Sequence, residues 1–402
     1  MLCCVLLCCK FYVVLQTASA KKKLSRIQRL ACLGITGAVR TTPTRAMEAL
    51  ICLPPLELVV QSEARMAAHH LWSLGRWSYL HHNRGHSSIL KRLQQSDPIF
   101  NMGVDVMRST FNLEPKYRVT MLNREDWTRG SGSPPEVKGL IWYTDGSKMK
   151  EGTGAEVFGQ SVKRRLSFPL GRYTTVFQAE IYAILARVYE IQFQNRPEKY
   201  VSICSDSQVA LKALQAIITT SPLVYQCQKA LIDISARHMV GLYWVPGHAG
   251  VGGNEIADGL ARGGFALRFL GPEPAMGVSR CDIKKRLSRW LINQQWASWH
   301  DLGNTLRQAR ELITGPCPGT RIKLSSFNRT QSRVVTGLLT GHNTLRRHLY
   351  LLGLLDNPLC RKCGVKEETS AHILCECEAL ASLRHTWFVP KVSVLIFLCA
   401  KW

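Results

Sequence analysis

Gly139-Leu140-Ile141-Trp142-Tyr143-Thr144-Asp145-Gly146-Ser147 is the stretch from which the architecture follows. Its apolar and aromatic first half predicts a short buried strand, which ends on an acid beside a glycine. Two further β-rich runs, Thr153 to Gly159 and Val162 to Phe168, follow after Gly and polar turns, so the three read as an antiparallel meander. Val176 to Ile191 then sets Ile181, Ile184, Leu185 and Val188 at helical spacing. Tyr200 to Cys204 reads as a buried strand, Ser207 to Ile218 and Leu223 to Ala236 as helices, Met239 to Val245 as a fifth strand, and Asn254 to Arg262 as a last helix. Three strands followed by alternating helix and strand predict an α/β layer with a mixed sheet.

Four acids fall at the ends of these elements: Asp145 after the first strand, Glu180 in the first turns of the long helix, Asp206 after the fourth strand, and Asp258 in the last helix. Adjacent strands that both end in Asp bring two carboxylates together, and flanking helices can add the others. Like charges at such range raise each other's pKa. Hard divalent cations relieve the repulsion, and carboxylate oxygens suit Mg2+. Taken singly, each Asp is as readily a turn former or a helix cap, Asp206 before Ser207 above all. The chemistry is carried by the four together in this order. His248, between Gly247 and Ala249-Gly250 with Gly252-Gly253 beyond, sits in a glycine-rich loop, and histidine is the side chain type suited to a proton shuttle near neutral pH.

The flanks are basic. Across 402 residues, 52 Lys and Arg face 28 Asp and Glu, a formal net charge of +24 that points to a polyanion, with nucleic acid ahead of a membrane surface. Residues 21–45 are basic and helix-like, 46–80 read as two apolar helices broken by Pro54-Pro55, and 81–135 read as irregular, with a linker at Ser131 to Pro135. Beyond about residue 267 the pattern is helical and basic, with Ile283, Leu287, Trp290 and Leu291 on one stripe. Residues 1–20 are apolar and end in Ala18-Ser19-Ala20 like a leader, yet Lys10 interrupts the run and no basic start precedes it. No run approaches the ~20 apolar residues that span a bilayer. Fifteen Cys, an odd number in a long chain, argue for reduced intracellular thiols with a metal-binding subset.

Thr144-Asp145-Gly146-Ser147, Gln178-Ala179-Glu180, Ser205-Asp206-Ser207-Gln208, and Trp244-Val245-Pro246-Gly247-His248 through Asn254-Glu255-Ile256-Ala257-Asp258 resemble the signature blocks of the RNase H family, in the version carried by pol polyproteins of animal non-LTR retrotransposons. The resemblance covers about residues 136–266. It implies an RNase H-like five-stranded mixed sheet with flanking helices, and hydrolysis of the RNA strand of RNA–DNA hybrids to 5′-phosphate and 3′-hydroxyl ends. Asp145, Glu180, Asp206 and Asp258 match the family's Mg2+ ligands, with Mn2+ able to substitute. His248 matches its loop histidine, and Gly146, Ser147 and the start of the Glu180 helix match contacts to the hybrid. Choosing hybrid over duplex DNA rests on helix shape and the 2′-hydroxyl. Glu156 stands where the family often has a small residue, on a predicted strand, and leaves the catalytic positions unchanged.

Near the C-terminus, Cys360, Cys363, His372 and Cys377 follow the spacing C-x2-C-x8-H-x4-C, a structural zinc pattern with Gly364 free to turn the chain. Cys375 competes for the fourth place. Leu338 to His342, Cys360 to Gly364 and Glu368 to His372 are similar to an element that follows RNase H in the same retrotransposons, and that similarity puts the ligand at Cys377. Residues 21–80 look like the link between reverse transcriptase and RNase H there, while no polymerase catalytic block occurs. The expected organisation is a degenerate or signal-like stretch at 1–20, a basic helical remnant at 21–135, RNase H at 136–266, a basic helical segment at 267–335, a zinc-knuckle-like segment at 336–386 and a tail at 387–402. The expected partners are RNA–DNA hybrid and nucleic acid, with a reverse transcriptase supplied in trans and no membrane; the expected location is the nucleus or cytoplasm rather than the exterior. The contrasting reading is a catalytically idle, nucleic-acid-binding retroelement relic.

Overall fold

A row of side chains across three strands sets the layout: Asp145 on β3 (Leu140–Lys148) lies opposite Glu156 on β4 (Thr153–Gly159), which lies opposite Ser167 on β5 (Arg164–Pro169). The computed structural model describes residues 17–75, 86–128, 134–150, 152–194, 197–264, 276–303 and 306–388, and the leader-like residues 1–16 and the tail from 389 fall outside them. The chain divides into two units, one comprising 69–83 and 87–285, the other 1–68, 84–86 and 286–402. The segment read as one basic helical stretch at 267–335 is therefore shared between units, which part within the Arg280–His300 helix.

In the first unit β3, β4 and β5 form the expected antiparallel meander. On the other side of β3, β6 (Tyr200–Ser205) and β8 (Met239–Trp244) add in parallel. The β3–β6 pairing ends at Thr144 and Ser205, so Asp145 and Asp206 follow side by side, but β3 does not end at the acid as expected: it runs on to Lys148, paired with β4. The sheet is mixed as expected but has six strands, in the order β2-β8-β6-β3-β4-β5. The extra strand, β2 (Arg118–Thr120), pairs parallel with β8 and comes from the stretch read as irregular. Three residues are too few to show a period of two. Tyr117 beside it anchors the segment by donating its hydroxyl to the Leu214 carbonyl at 2.6 Å. The helix expected over 207–218 stops at Gln215, and Ile218–Thr219 instead forms β7, antiparallel to β1 (Thr110–Phe111). β-Branched Ile217, Ile218, Thr219 and Thr220 crowd a helix and suit a strand.

Helices Val176–Gln194, Gln208–Gln215 and Pro222–Ile234 cover one face, burying Leu140, Trp142, Val157, Ile181, Ile184, Val188 and Leu231. Arg187 is wholly buried there, its guanidinium 3.3 Å from the Trp142 ring centre and 2.6 Å from Glu190. Helix Gly252–Gly264 covers the other face, over Tyr143, Phe158 and Cys204. A Cβ on Gly253 would lie 2.2 Å from the Tyr143 ring. Gly253 is thus a packing glycine in the first turn of this helix rather than part of the histidine loop.

The second unit is helical. Gln28 on helix Ala18–Thr36 donates to the Pro54 carbonyl and accepts from Leu56 N, filling the break that Pro54-Pro55 leaves between helices Thr44–Leu50 and Leu56–Ser73. Cys32, Met47, Leu50, Trp299, Ile313 and Leu339 make its core. Helix Arg329–Thr340 opens with a reciprocal Asn328–Gln331 capping box and closes on Gly341 in the left-handed conformation. Among the described residues no helix is long and apolar enough to cross a membrane. Overpacking the Gly253 contact should be felt: Gly253→Val is expected to destabilise the first unit by about 1–3 kcal/mol in chemical denaturation.

Candidate active site

Asp145, Glu180 and Asp206 each bring a carboxylate oxygen within 4.8 Å of the others. Local structure explains the convergence. Asp145 lies within β3 and Asp206 just past the end of β6, each next to the last pair that joins these parallel strands, Thr144 and Ser205. Helix Val176–Gln194 can start close enough because residue 146 is glycine: a Cβ there would lie 2.8 Å from Glu180 N. Asp206 is not the cap of the following helix. Ser207 is, accepting from Ala210 N, so the Asp206 side chain is left for the cluster. The Trp244 indole donates to the Asp206 carbonyl at 3.0 Å and holds that strand end against β8.

The electrostatics suit a cation. Glu180 is 3% exposed. Burial, then the charges of Asp145 and Asp206, lift its carboxyl well above the usual range, against the Gly146 amide and the Ser205 hydroxyl that donate to it. Asp206 is raised as well, by burial first; a hydrogen bond from Asn254 and the nearby His248 oppose the rise, and Asp258 adds to it.

Asp258 belongs to a neighbouring group rather than to the same trio. It clusters with His248 and Glu255, and His248 Nδ1 lies 3.5 Å from Asp258 Oδ2. Its charge is nonetheless felt at Asp206, so the two groups are electrically continuous. The His248 ring is 75% exposed, and its backbone is left-handed at φ +50°, followed by Gly250 at +77°. A non-glycine residue in that region carries strain that its surroundings must hold. Gly247 approaches so closely that a Cβ would lie 2.8 Å from Asp206 Oδ2. Glu255 was missed by sequence reading, although it precedes Asp258 by three residues on a helix, the spacing that shares a face. It accepts from Gly250 N at 3.3 Å and ties the histidine loop down. Of the two expected hybrid contacts, Gly146 is buried under the Glu180 helix, whereas Ser147 is half-buried at the end of β3.

Glu156 is no remote departure. It is wholly buried directly opposite Asp145; Ser167 donates to one of its oxygens, and the other has no hydrogen-bond partner. Burial pushes its carboxyl up to about 8, with Ser167 opposing and Asp145 adding to the rise.

The second cluster is Cys360, Cys363, His372 and Cys377, all within 4.8 Å of one another at the donor atoms. Cys360 and Cys377 sulfurs are 3.9 Å apart, and Cys363 Sγ lies 3.2 Å from His372 Nε2. The amides of Lys366 and Val365 donate to Cys363 and lower its thiol to about 6, which favours a thiolate ligand. Three of the four are almost wholly buried. Cys375, the competing ligand, is outside the group. A Cys3His set converging from a turn and a helical segment fits a tetrahedral metal.

Comparison with known proteins bears on the first unit. Residues 137–266, about a third of the chain, match the sequence profile of RNase H. A stretch of 38 residues is 58% identical to Ribonuclease H of Paramagnetospirillum magneticum (strain ATCC 700264 / AMB-1); it makes up 10% of this chain and spans 25% of that protein.

The raised Glu156 carboxyl predicts a pH effect. The unfolded chain ionises it from 4.5 upward, whereas the folded chain does so only near 8. Stability from this group is therefore full below 4.5 and is lost as pH rises through about 8. Glu156→Gln cannot ionise and keeps the shape, so in metal-free protein it should raise the thermal midpoint at pH 8 and leave it unchanged at pH 4. Equal curves at both pH values would contradict the assignment.

Proposed function

We propose that the RNase H domain carried by this chain at residues 137–266 hydrolyses the RNA strand of RNA–DNA hybrids, with Asp145, Glu180, Asp206 and Asp258 as its Mg2+ ligands. The convergence of Asp145 from within β3, Asp206 from the end of β6 and Glu180 from the first turns of the long helix carries this reading. Their mutual repulsion fits a site built for a hard divalent cation, and no Cys or His competes in that trio. Mn2+ would serve in place of Mg2+. Two such ions, when bound, would lower the pKa of an attacking water and neutralise charge on the leaving oxygen.

The protein's own groups supply the rest. Glu180, supported by the Gly146 amide and Ser205, is the most buried of the four. His248, exposed beside Asp258, can take up and release a proton at the mouth of the site. The half-buried Ser147 is the accessible hydroxyl for the hybrid backbone, with Gly146 beneath it. The Cys360, Cys363, His372 and Cys377 group would hold a structural Zn2+ and steady a nucleic-acid-binding element on the second unit. A retrotransposon origin, with a reverse transcriptase acting in trans and action in the nucleus or cytoplasm, fits the four blocks and the net charge of +24. The idle-relic reading draws on one observation, the buried Glu156 facing Asp145.

One assay separates the two. With a labelled hybrid and Mg2+, the RNA strand should be cut, the cutting should stop with EDTA and it should resume with Mg2+ or Mn2+. Asp145→Asn or Asp206→Asn should lower the rate about 100-fold or more, since even outer supports of a metal ligand carry up to that cost. Hybrid binding should persist, because phosphate contacts dominate affinity. His248→Ala should slow turnover without ending it. Equal cutting of duplex DNA, or full activity in Asp145→Asn, would refute the reading. For the second cluster, Cys377→Ser in the full chain should lower bound zinc from about one equivalent toward none, and Cys375→Ser should leave it unchanged.

A further inference from the structure

Two stretches outside residues 137–266 meet at the start of the Glu180 helix. Val104 bridges in parallel to Val278, Asp105 N donates to the Val278 carbonyl at 2.9 Å, and Val278 N donates to the Gly103 carbonyl at 2.7 Å. Gly277 must be glycine there, since a Cβ would lie 2.6 Å from Asp105 N. One arm comes from the stretch read as irregular and the other from the basic helical stretch that follows the nuclease blocks.

The two arms converge on Gln178, which is 1% exposed. Its Nε2 donates to Asp105 Oδ2 at 3.2 Å and to the Gly277 carbonyl at 2.6 Å. Its Oε1 accepts from Thr175 N at 3.1 Å and from Thr175 Oγ1, while Gln178 N donates back to Thr175 Oγ1 at 3.2 Å. That reciprocal pair is a capping box, with Gln178 in its third position. Both Nε2 protons and the amide oxygen are thus engaged, and the side chain has one orientation that satisfies them all. Asp105 is held in turn: its Oδ1 accepts from Ser221 Oγ at 2.7 Å and from Leu223 N at 3.4 Å, at the cap of helix Pro222–Ile234.

We propose that Asp105 is a positioning residue for Glu180: acting through Gln178 two residues earlier, it fixes the first turn of the helix and with it the place of that carboxylate. The alternative for a buried polar joint of this kind is plain structural support, in which case its loss would cost stability and nothing else. Glu180 argues for more. It is almost wholly buried, sits on the turn that Gln178 locks, and must meet Asp145 and Asp206 within 4.8 Å. A small rotation of that turn would open the trio, and weakening the outer supports of metal ligands typically costs 10–100-fold in affinity.

The inference rests on reading the trio as cation ligands, so its test measures the cation directly. Mn2+ binding to the full chain is followed by electron paramagnetic resonance without substrate, and binding that survives Asp145→Asn is subtracted as belonging elsewhere. Asp105→Asn keeps the shape and the acceptor for Ser221 and Leu223 but turns an amide donor toward the Gln178 donor. It should weaken Mn2+ binding about tenfold and lower kcat for the hybrid, with KM unchanged. Gln178→Ala should do the same, and the double variant should be no worse than either alone, as expected for residues acting through one contact. Ser221→Ala, which removes a bond on the far side of Asp105, should lower the thermal midpoint and leave Mn2+ affinity intact. If Asp105→Asn binds Mn2+ as the unmodified chain does, the positioning role is wrong and the trio stands. If the unmodified chain binds no Mn2+ that Asp145→Asn removes, both fall.

Discussion

Three carboxylates within 4.8 Å of one another, one of them 3% exposed, repel each other, and the first unit is built to hold them there. The repulsion shows as raised carboxyls at Glu180 and Asp206, held by burial and proximity together. Such an arrangement persists only when the scaffold over-determines it. The parallel register of β3 with β6 places two of the acids, and the apolar contact of the long helix with Leu140, Trp142 and Val157 places the third. Gly146 removes the one side chain that would keep the helix away.

The supports are of two kinds, and they act at different distances. Close in, Ser205, the Gly146 amide and the Trp244 indole hold the carboxylates or their backbone. Further out, the capping box at Thr175 and Gln178 is tied to Asp105 and Gly277, which lie far away in the chain on either side. The folded unit is accordingly wider than its recognisable blocks. The strand Arg118–Thr120 and the Val104–Val278 bridge extend it in the same sense, and the contact boundary follows them out to residue 285.

Glu156 shows how one residue can be read correctly in place and wrongly in consequence. Its strand was legible from Thr153 to Gly159 as a β-rich run between turns. Its partner across the strand was not, because register depends on where the turn falls and on how the sheet packs. The pairing with Asp145 turns a strand substitution into a buried carboxyl beside the candidate ligands. Glu255 is the converse case, a residue visible beside Asp258 whose role appears only when the histidine loop folds over it.

The sequence by itself determined the meander, the buried strands and the long helix, because each rests on local pattern: β-rich runs between turns or a period of 3.6. It also named four acids, of which the fold gathers three in one group. Spacing likewise picked out Cys360, Cys363 and His372 but left Cys377 and Cys375 in competition, and the fold brings Cys377 into the group. Tertiary structure alone decided that Asp258 groups with His248 and Glu255, that Ser207 rather than Asp206 caps its helix, and that Ile218–Thr219 leaves the helix to pair with Thr110–Phe111. It also decided that Asp105 and Gly277 share one glutamine. These are matters of which distant groups meet, and a short strand or a single hydrogen bond between residues far apart in the chain leaves no periodic trace in either partner.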